Sequence, residues 1–98
     1  MNYCIIMTNK AVNDLVSIDF YLSKKYDNPL LSKKIINEII EAIDSLTYLP
    51  LRHRIYLNNV HIYNFNNFKI FYYINNENIY ILRILNNKQA FNYYDVLN

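Results

Sequence analysis

The stretch RIYLNNVHIYNFNNFKIFYYINNENIYILRIL, residues 54–85, decides the fold. Its aromatic and β-branched runs are separated by asparagine-rich breaks, a pattern of short strands joined by tight turns. The strands fall at Arg54 to Leu57, Val60 to Phe65, Phe68 to Ile74 and Ile79 to Leu85. Between them stand Asn58-Asn59, Asn66-Asn67 and Asn75-Asn76-Glu77-Asn78. The chain has no glycine, so asparagine takes over the positive-φ turn positions, which it tolerates best after glycine. A two-residue turn pairs Phe65 with Phe68, and a four-residue loop pairs Ile74 with Ile79. Alternation then puts His61, Tyr63, Phe65, Phe68, Ile70, Tyr72, Ile81, Arg83 and Leu85 on one face. Val60, Ile62, Lys69, Phe71, Tyr80, Leu82 and Ile84 fall on the other. Both faces are mostly apolar, and two helices can cover only one. The expectation is an open apolar sheet face that serves a partner.

Working back from this stretch, Pro50 ends a helix of which Leu31, Ile35, Ile39, Ala42, Ile43 and Leu46 form the apolar half. Asn28 caps its start and Pro29 suits its first turn. The helix before it starts at the cap Thr8 and carries Ala11, Val12, Leu15, Val16, Ile18, Phe20, Leu22 and Tyr26 on one side, with Asp19 as the misfit. The short joint Asp27-Asn28-Pro29 makes the two helices an antiparallel hairpin. Residues 3–7 form a short strand in front, and the tail after Asn86-Asn87 forms one short helix with Phe91, Tyr94 and Leu97. The fold class is α+β: an N-terminal strand, an antiparallel helix hairpin, an antiparallel β-meander giving a four- to five-stranded sheet, and a short C-terminal helix. Residues 1–98 form a single domain.

Composition removes several classes. With 53% hydrophobic and 18% charged residues the chain is too apolar for disorder, and no apolar run approaches the roughly 20 residues that span a bilayer. Its N-terminus lacks the basic and apolar regions of a signal peptide, and a lone cysteine cannot staple a fold. The expectation is a cytoplasmic protein without membrane contact, with Cys4 as a buried strand thiol. Ten basic against eight acidic side chains leave only +2, so any contact with a polyanion is local. His53, His61 and Cys4 have no zinc spacing, and neither metal nor cofactor is expected.

The order of these elements, with Tyr3, Ile5, Thr8, Ala11, Asp14-Leu15, Ile18 and Tyr21-Leu22 at the front, resembles the RelE/ParE superfamily of bacterial type II toxins. Asn67-Phe68-Lys69-Ile70-Phe71-Tyr72-Tyr73-Ile74 is similar to the family's aromatic-basic-aliphatic strand. Ile81-Leu82-Arg83-Ile84-Leu85 is similar to its Ile-Leu-Arg-Val-Leu strand. The resemblance implies a growth-inhibiting toxin held inactive by a cognate antitoxin. Its target would be DNA gyrase in the ParE-like branch, or ribosome-bound mRNA in the RelE-like branch, which is a metal-independent endoribonuclease.

The resemblance also implies roles for particular residues. Lys69 and Lys88 stand where ribonuclease members neutralise phosphate charge, and Tyr94 stands where they carry a functional tyrosine. Cutting RNA through its 2′-hydroxyl needs a base, a cation and an acid. Nuclease members end the last strand on His or Tyr-Gly, followed by Arg. Here the stretch is Asn86-Asn87-Lys88, in which asparagine transfers no proton and lysine lacks the bidentate fork of arginine. Arg83 lies in an aliphatic strand, so it either pairs with a carboxylate, for which Asp19 is one candidate, or emerges at a site. Arg52, His53 and Arg54 form a compact basic cluster after Pro50 that suits nucleic acid or an acidic antitoxin segment. His61 joins them as a group that titrates in the range for acid-base work.

The balance favours the ParE-like, non-hydrolytic toxin, because the charge is low and the proton-transfer position is disabled. The RelE-like nuclease is the alternative, and a degenerate module that only binds antitoxin or associates into a homodimer stays open. A generic RNA-binding sheet using Tyr63, Tyr72 and Tyr80 ranks below these.

Overall fold

Thr8 ties the N-terminal strand, the first helix and the last strand together at one point. In this computed structural model, which describes residues 3–48 and 50–87, strand β1 spans Cys4–Met7 and helix α1 spans Asn9–Tyr26. The Thr8 hydroxyl accepts the Ala11 amide at 3.2 Å as the helix cap and donates to the Ile81 carbonyl at 2.7 Å. Asp27, in the left-handed region at φ 49°, stops α1. Asn28 then accepts the Leu30 and Leu31 amides at 3.1 and 3.3 Å, so helix α2, Pro29–Asp44, starts one residue later. Two 3₁₀ turns, Ser45–Thr47 and Pro50–Arg52, lead out of it. The helix hairpin is as the sequence predicts. Asp19, the misfit, is explained by the joint: the buried Ser32 hydroxyl donates to its carboxylate and lies 3.1 Å from its backbone carbonyl.

The strands that follow are β2 (Ile55–Leu57), β3 (Val60–Phe65), β4 (Phe68–Asn75) and β5 (Asn78–Asn86). Asn58, Asn59, Asn66 and Asn76 all have positive φ, between 46° and 68°, which is the role the glycine-free sequence assigns to them. The meander runs antiparallel with Phe65 opposite Phe68 and Ile74 opposite Ile79, as turn counting predicts. The sheet as a whole is mixed. Its order is β1-β5-β4-β3-β2, because β1 pairs in parallel with β5, Cys4 opposite Asn78 and Met7 opposite Ile81. Cys4 is exposed at the start of this edge strand and is not the buried thiol expected from the sequence. The expected short C-terminal helix lies outside the described residues.

Turn counting fails at one place. The register shifts between Phe71 and Tyr72, which face Arg83 and Ile81 and leave Leu82 as an extra residue in β5. An inserted residue inverts side-chain parity beyond it. Ile84 therefore joins Phe68, Ile70, Tyr72 and Ile81 under the helices, and Leu85 joins Val60, Ile62 and Phe71 on the far face. This reverses the assignment made from alternation alone.

The two faces carry separate cores. Under the hairpin, Ala11, Ile18 and Leu22 of α1 and Ile39, Ala42 and Ile43 of α2 pack on Ile70, Tyr72, Ile79 and Ile81. On the far face Val60, Ile62, Phe71 and Leu85 are at most 3% exposed, with Tyr56 and Leu82 packed against them. The Tyr56 ring meets Phe71 edge to face at 5.4 Å. The open apolar face expected there is thus absent at these positions, and large exposed apolar groups occur elsewhere. Val16 and Phe20 of α1 are each 64% exposed, because the eight-residue apolar arc of α1 is wider than the hairpin and sheet can cover. Among the described residues, no helix is long and apolar enough to cross a membrane.

Candidate functional site

The described candidate residues divide into two groups, one on β4 and β5 and one around β2 and β3, and Lys88 and Tyr94 lie outside the described residues. The first group is Lys69 and Arg83 on β4 and β5. The register sets Lys69 opposite Leu85 and Arg83 opposite Phe71, one diagonal step apart on adjacent strands. Lys69 reaches across to β3, where its Nζ donates to Asn64 Oδ1 at 2.8 Å. Arg83 turns the other way, toward α1. Its Nε and Nη2 donate to the two carboxylate oxygens of Asp14 at 2.7 and 2.9 Å. The same carboxylate accepts the Ile84 amide at 2.9 Å. The partner of Arg83 is therefore Asp14, not Asp19.

The fold dictates this choice. β1 ends opposite Ile81, so beyond that point β5 has no strand neighbour on its outer side among the described residues. Asp14, one turn into α1, supplies carboxylate oxygens at the place where a neighbouring strand would offer a carbonyl. The pair is 20% and 14% exposed, so it is partly desolvated and geometrically fixed. Beside it a cleft of about 380 Å³ opens between α1 and the end of β5, lined by Asp14, Ser17, Tyr21, Phe68, Ile84 and Asn86. Asp14 is the only carboxylate among these lining residues, and its oxygens are occupied by Arg83 and Ile84.

The second group lies at the β2 end, under the turns that follow α2. His61 is 6% exposed, and its Nδ1 lies 2.9 Å from the His53 carbonyl. Its ring stacks on Tyr72 at 5.2 Å. His53 stacks on Tyr63 at 4.0 Å and meets the edge of Tyr72 at 6.3 Å. The Tyr72 hydroxyl donates to the Pro50 carbonyl, which pins the second 3₁₀ turn to the sheet. Burial pushes that phenol up to about 12, although the Arg52 charge opposes the rise. Burial also lowers the His53 imidazole, and the Arg52 charge and the neighbouring His61 lower it further. A neutral His53 can accept a hydrogen bond, and Arg52 Nε donates to its Nε2 at 3.1 Å. Arg52 Nη2 lies 3.3 Å from Ser45 Oγ. Arg52 and Arg54 are exposed.

The sequence singles out Arg52, His53, Arg54 and His61 but misses Tyr63 and Tyr72 as their aromatic supports, and Asp14 as the partner of Arg83. The Tyr72 contact with Pro50 spans 22 residues and the Asp14 contact with Arg83 spans 69, separations that periodicity does not reach. Among the described residues no three His, Cys, Asp or Glu side chains gather at one point.

A helix hairpin laid on one face of a mixed five-stranded sheet, with the N-terminal strand parallel to the last, is a fold shared with solved toxin structures. The chain is similar to the chromosomal ParDE toxin-antitoxin system of P. aeruginosa, with 20% identity and a TM-score of 0.77. That match covers 86% of this chain and 95% of the other. It is also similar to the RelBE2 toxin-antitoxin complex of Mycobacterium tuberculosis, with 18% identity and a TM-score of 0.68, over 88% of this chain and 99% of the other. No curated protein sequence matches it. The sequence profile of the family described as "ParE toxin of type II toxin-antitoxin system, parDE" matches residues 5–91. The chain belongs to the ParE toxin family.

Proposed function

We propose that this chain is a toxin that stops bacterial growth without hydrolysing RNA, acting on DNA gyrase and held inactive by a cognate antitoxin. The observation that carries the reading is the Asp14–Arg83 pair. A guanidinium whose Nε and Nη2 are both turned onto a carboxylate is already neutralised, so it offers little to a phosphate in a ribonuclease transition state. Lys69, the other described cation of that group, bonds to Asn64, and the end of β5 carries Asn86, which transfers no proton. The family assignment supports the same branch.

The test is induced expression in bacteria with DNA and protein synthesis pulse-labelled separately, beside the Lys69→Ala/Lys88→Ala variant. Arg83 is kept, since its loss would also break the contact to α1. Expected is early loss of DNA synthesis, an equal effect from the variant, inhibition of gyrase supercoiling by the purified protein, and rescue by the antitoxin encoded beside it. Early loss of translation that the variant abolishes would instead establish the RelE-like nuclease. Unchanged growth with folded protein present would establish a module that binds without poisoning.

A further inference from the structure

The charges of this molecule are unevenly distributed. No carboxylate occurs between Asp44 and Glu77, whereas Arg52, Arg54 and Lys69 all fall within that interval. The turn region leading into β2 combines this acid-free charge with exposed apolar bulk: Tyr48 is 72% exposed, Leu51 70% and Ile55 61%. Among the described residues the ion pair is Asp14 with Arg83, so Arg52 and Arg54 meet no carboxylate there.

We propose that the turn region leading into β2, through its exposed side chains Tyr48, Leu51, Arg52, Arg54 and Ile55, docks a partner segment that carries both acidic and aliphatic side chains. The inference rests on the antitoxin reading for who the partner is, and on this surface alone for its chemistry. Arg52 is held ready for it. His53 Nε2 and Ser45 Oγ take its Nε and Nη2, which fixes the guanidinium plane, and His53 is itself fixed by its stack on Tyr63. A planar fork held in one orientation suits a carboxylate, since less side-chain freedom is lost on binding. Leu51 and Ile55 distinguish a peptide from a nucleic acid. Bases stack on aromatic planes, whereas the exposed groups flanking the two arginines in sequence are aliphatic. Tyr48 is one exposed ring, and the Tyr63 ring is already covered by His53, so the region offers no run of rings for successive bases.

The test is fluorescence anisotropy of the full chain with a labelled, end-capped peptide of about ten residues alternating glutamate with leucine, and backbone amide shifts to locate it. Comparison probes replace glutamate by lysine, replace leucine by serine, or substitute a single-stranded oligonucleotide of equal charge. Arg52→Glu/Arg54→Glu and Leu51→Ser/Ile55→Ser alter exposed positions, so both variants are expected to keep the wild-type near-UV circular dichroism. Each is expected to raise the dissociation constant by about tenfold or more, with shifts centred on residues 48–55. The lysine and serine peptides are expected to bind weakly. No binding of the glutamate-leucine peptide, binding indifferent to both variants, or preferential binding of the oligonucleotide through the same residues would overturn the assignment. Growth rescue by the antitoxin is measured separately. If rescue occurs while the peptide fails, the surface assignment falls and the toxin reading stands. If the peptide binds without rescue, the surface assignment stands and the antitoxin reading falls.

Discussion

Asp14 holds three donors from β5: the Nε and Nη2 of Arg83 and the Ile84 amide. Asp14→Ala would leave a partly buried guanidinium and a backbone amide without these acceptors, at a cost of about 2–3 kcal/mol. Arg83→Ala is expected to cost less, because Asp14 keeps the Ile84 amide. The double variant should therefore lose less than the sum of the two single ones, a coupling that urea denaturation at a fixed pH measures directly. His53 supplies a second prediction, with a definite sign. Its folded imidazole stays neutral at pH values where the unfolded one, near its ordinary value of about 6.5, is already taking up a proton. As pH falls through about 6.5 the unfolded state binds more protons than the folded one, so stability is lost on acidification. Protonation would also place a second donor against Arg52 Nε. Thermal melts should show His53→Gln with a flatter dependence between about pH 7.5 and 5.5 than the parent chain.

At the level of elements, the turns show how a chain without glycine builds a meander. Asn58 and Asn59 are both left-handed, at φ 46° and 68°, across the two-residue link from Leu57 to Val60. Asparagine bears that conformation because its short side chain bonds locally, whereas a side chain with an ordinary Cβ costs roughly 1–2 kcal/mol there. Asn59→Gly is expected to leave the melting temperature level or raised, and Asn59→Val to lower it by several degrees, as scanning calorimetry would record. These turns were legible because residue type and spacing suffice for them. The bulge at Leu82 was not. Nothing in Ile81-Leu82-Arg83-Ile84-Leu85 distinguishes a regular strand from one with an extra residue, since both alternations place aliphatic groups on both faces. The irregularity coincides with Thr8, whose hydroxyl lies 2.7 and 3.2 Å from the Ile81 and Leu82 carbonyls. That contact comes from the other end of the chain.

At the scale of the whole molecule, β4 is the centre of the sheet, with β5 on one side and β3 on the other. Its consecutive residues Ile70, Phe71 and Tyr72 are all 0% exposed, so both cores depend on it. Hydrogen exchange should find the slowest amides in β4, opening only with global unfolding. Phe71→Ala is expected to remove about 3–5 kcal/mol, a large share of the roughly 5–15 kcal/mol that holds a domain of this size, and urea denaturation would record the lowered midpoint. Val16→Ser/Phe20→Ser, on the exposed flank of α1, should leave the denaturation midpoint within experimental error of the parent. That contrast is invisible in composition, since both sites are apolar residues in apolar patterns.

Amphipathic spacing, Thr8 and Asn28 as caps, Pro29 and Pro50 as boundaries and the turn asparagines are local properties, and from them the sequence by itself determined the helix hairpin and the meander. The parallel pairing of β1 with β5, the parity change at Leu82 and the capture of Arg83 by Asp14 rather than Asp19 were decided only by the tertiary structure. Each of these joins residues more than 60 positions apart, or depends on such a junction. In each case the energy comes from hydrogen bonds and packing that exist only once the hairpin has brought the two ends of the chain together.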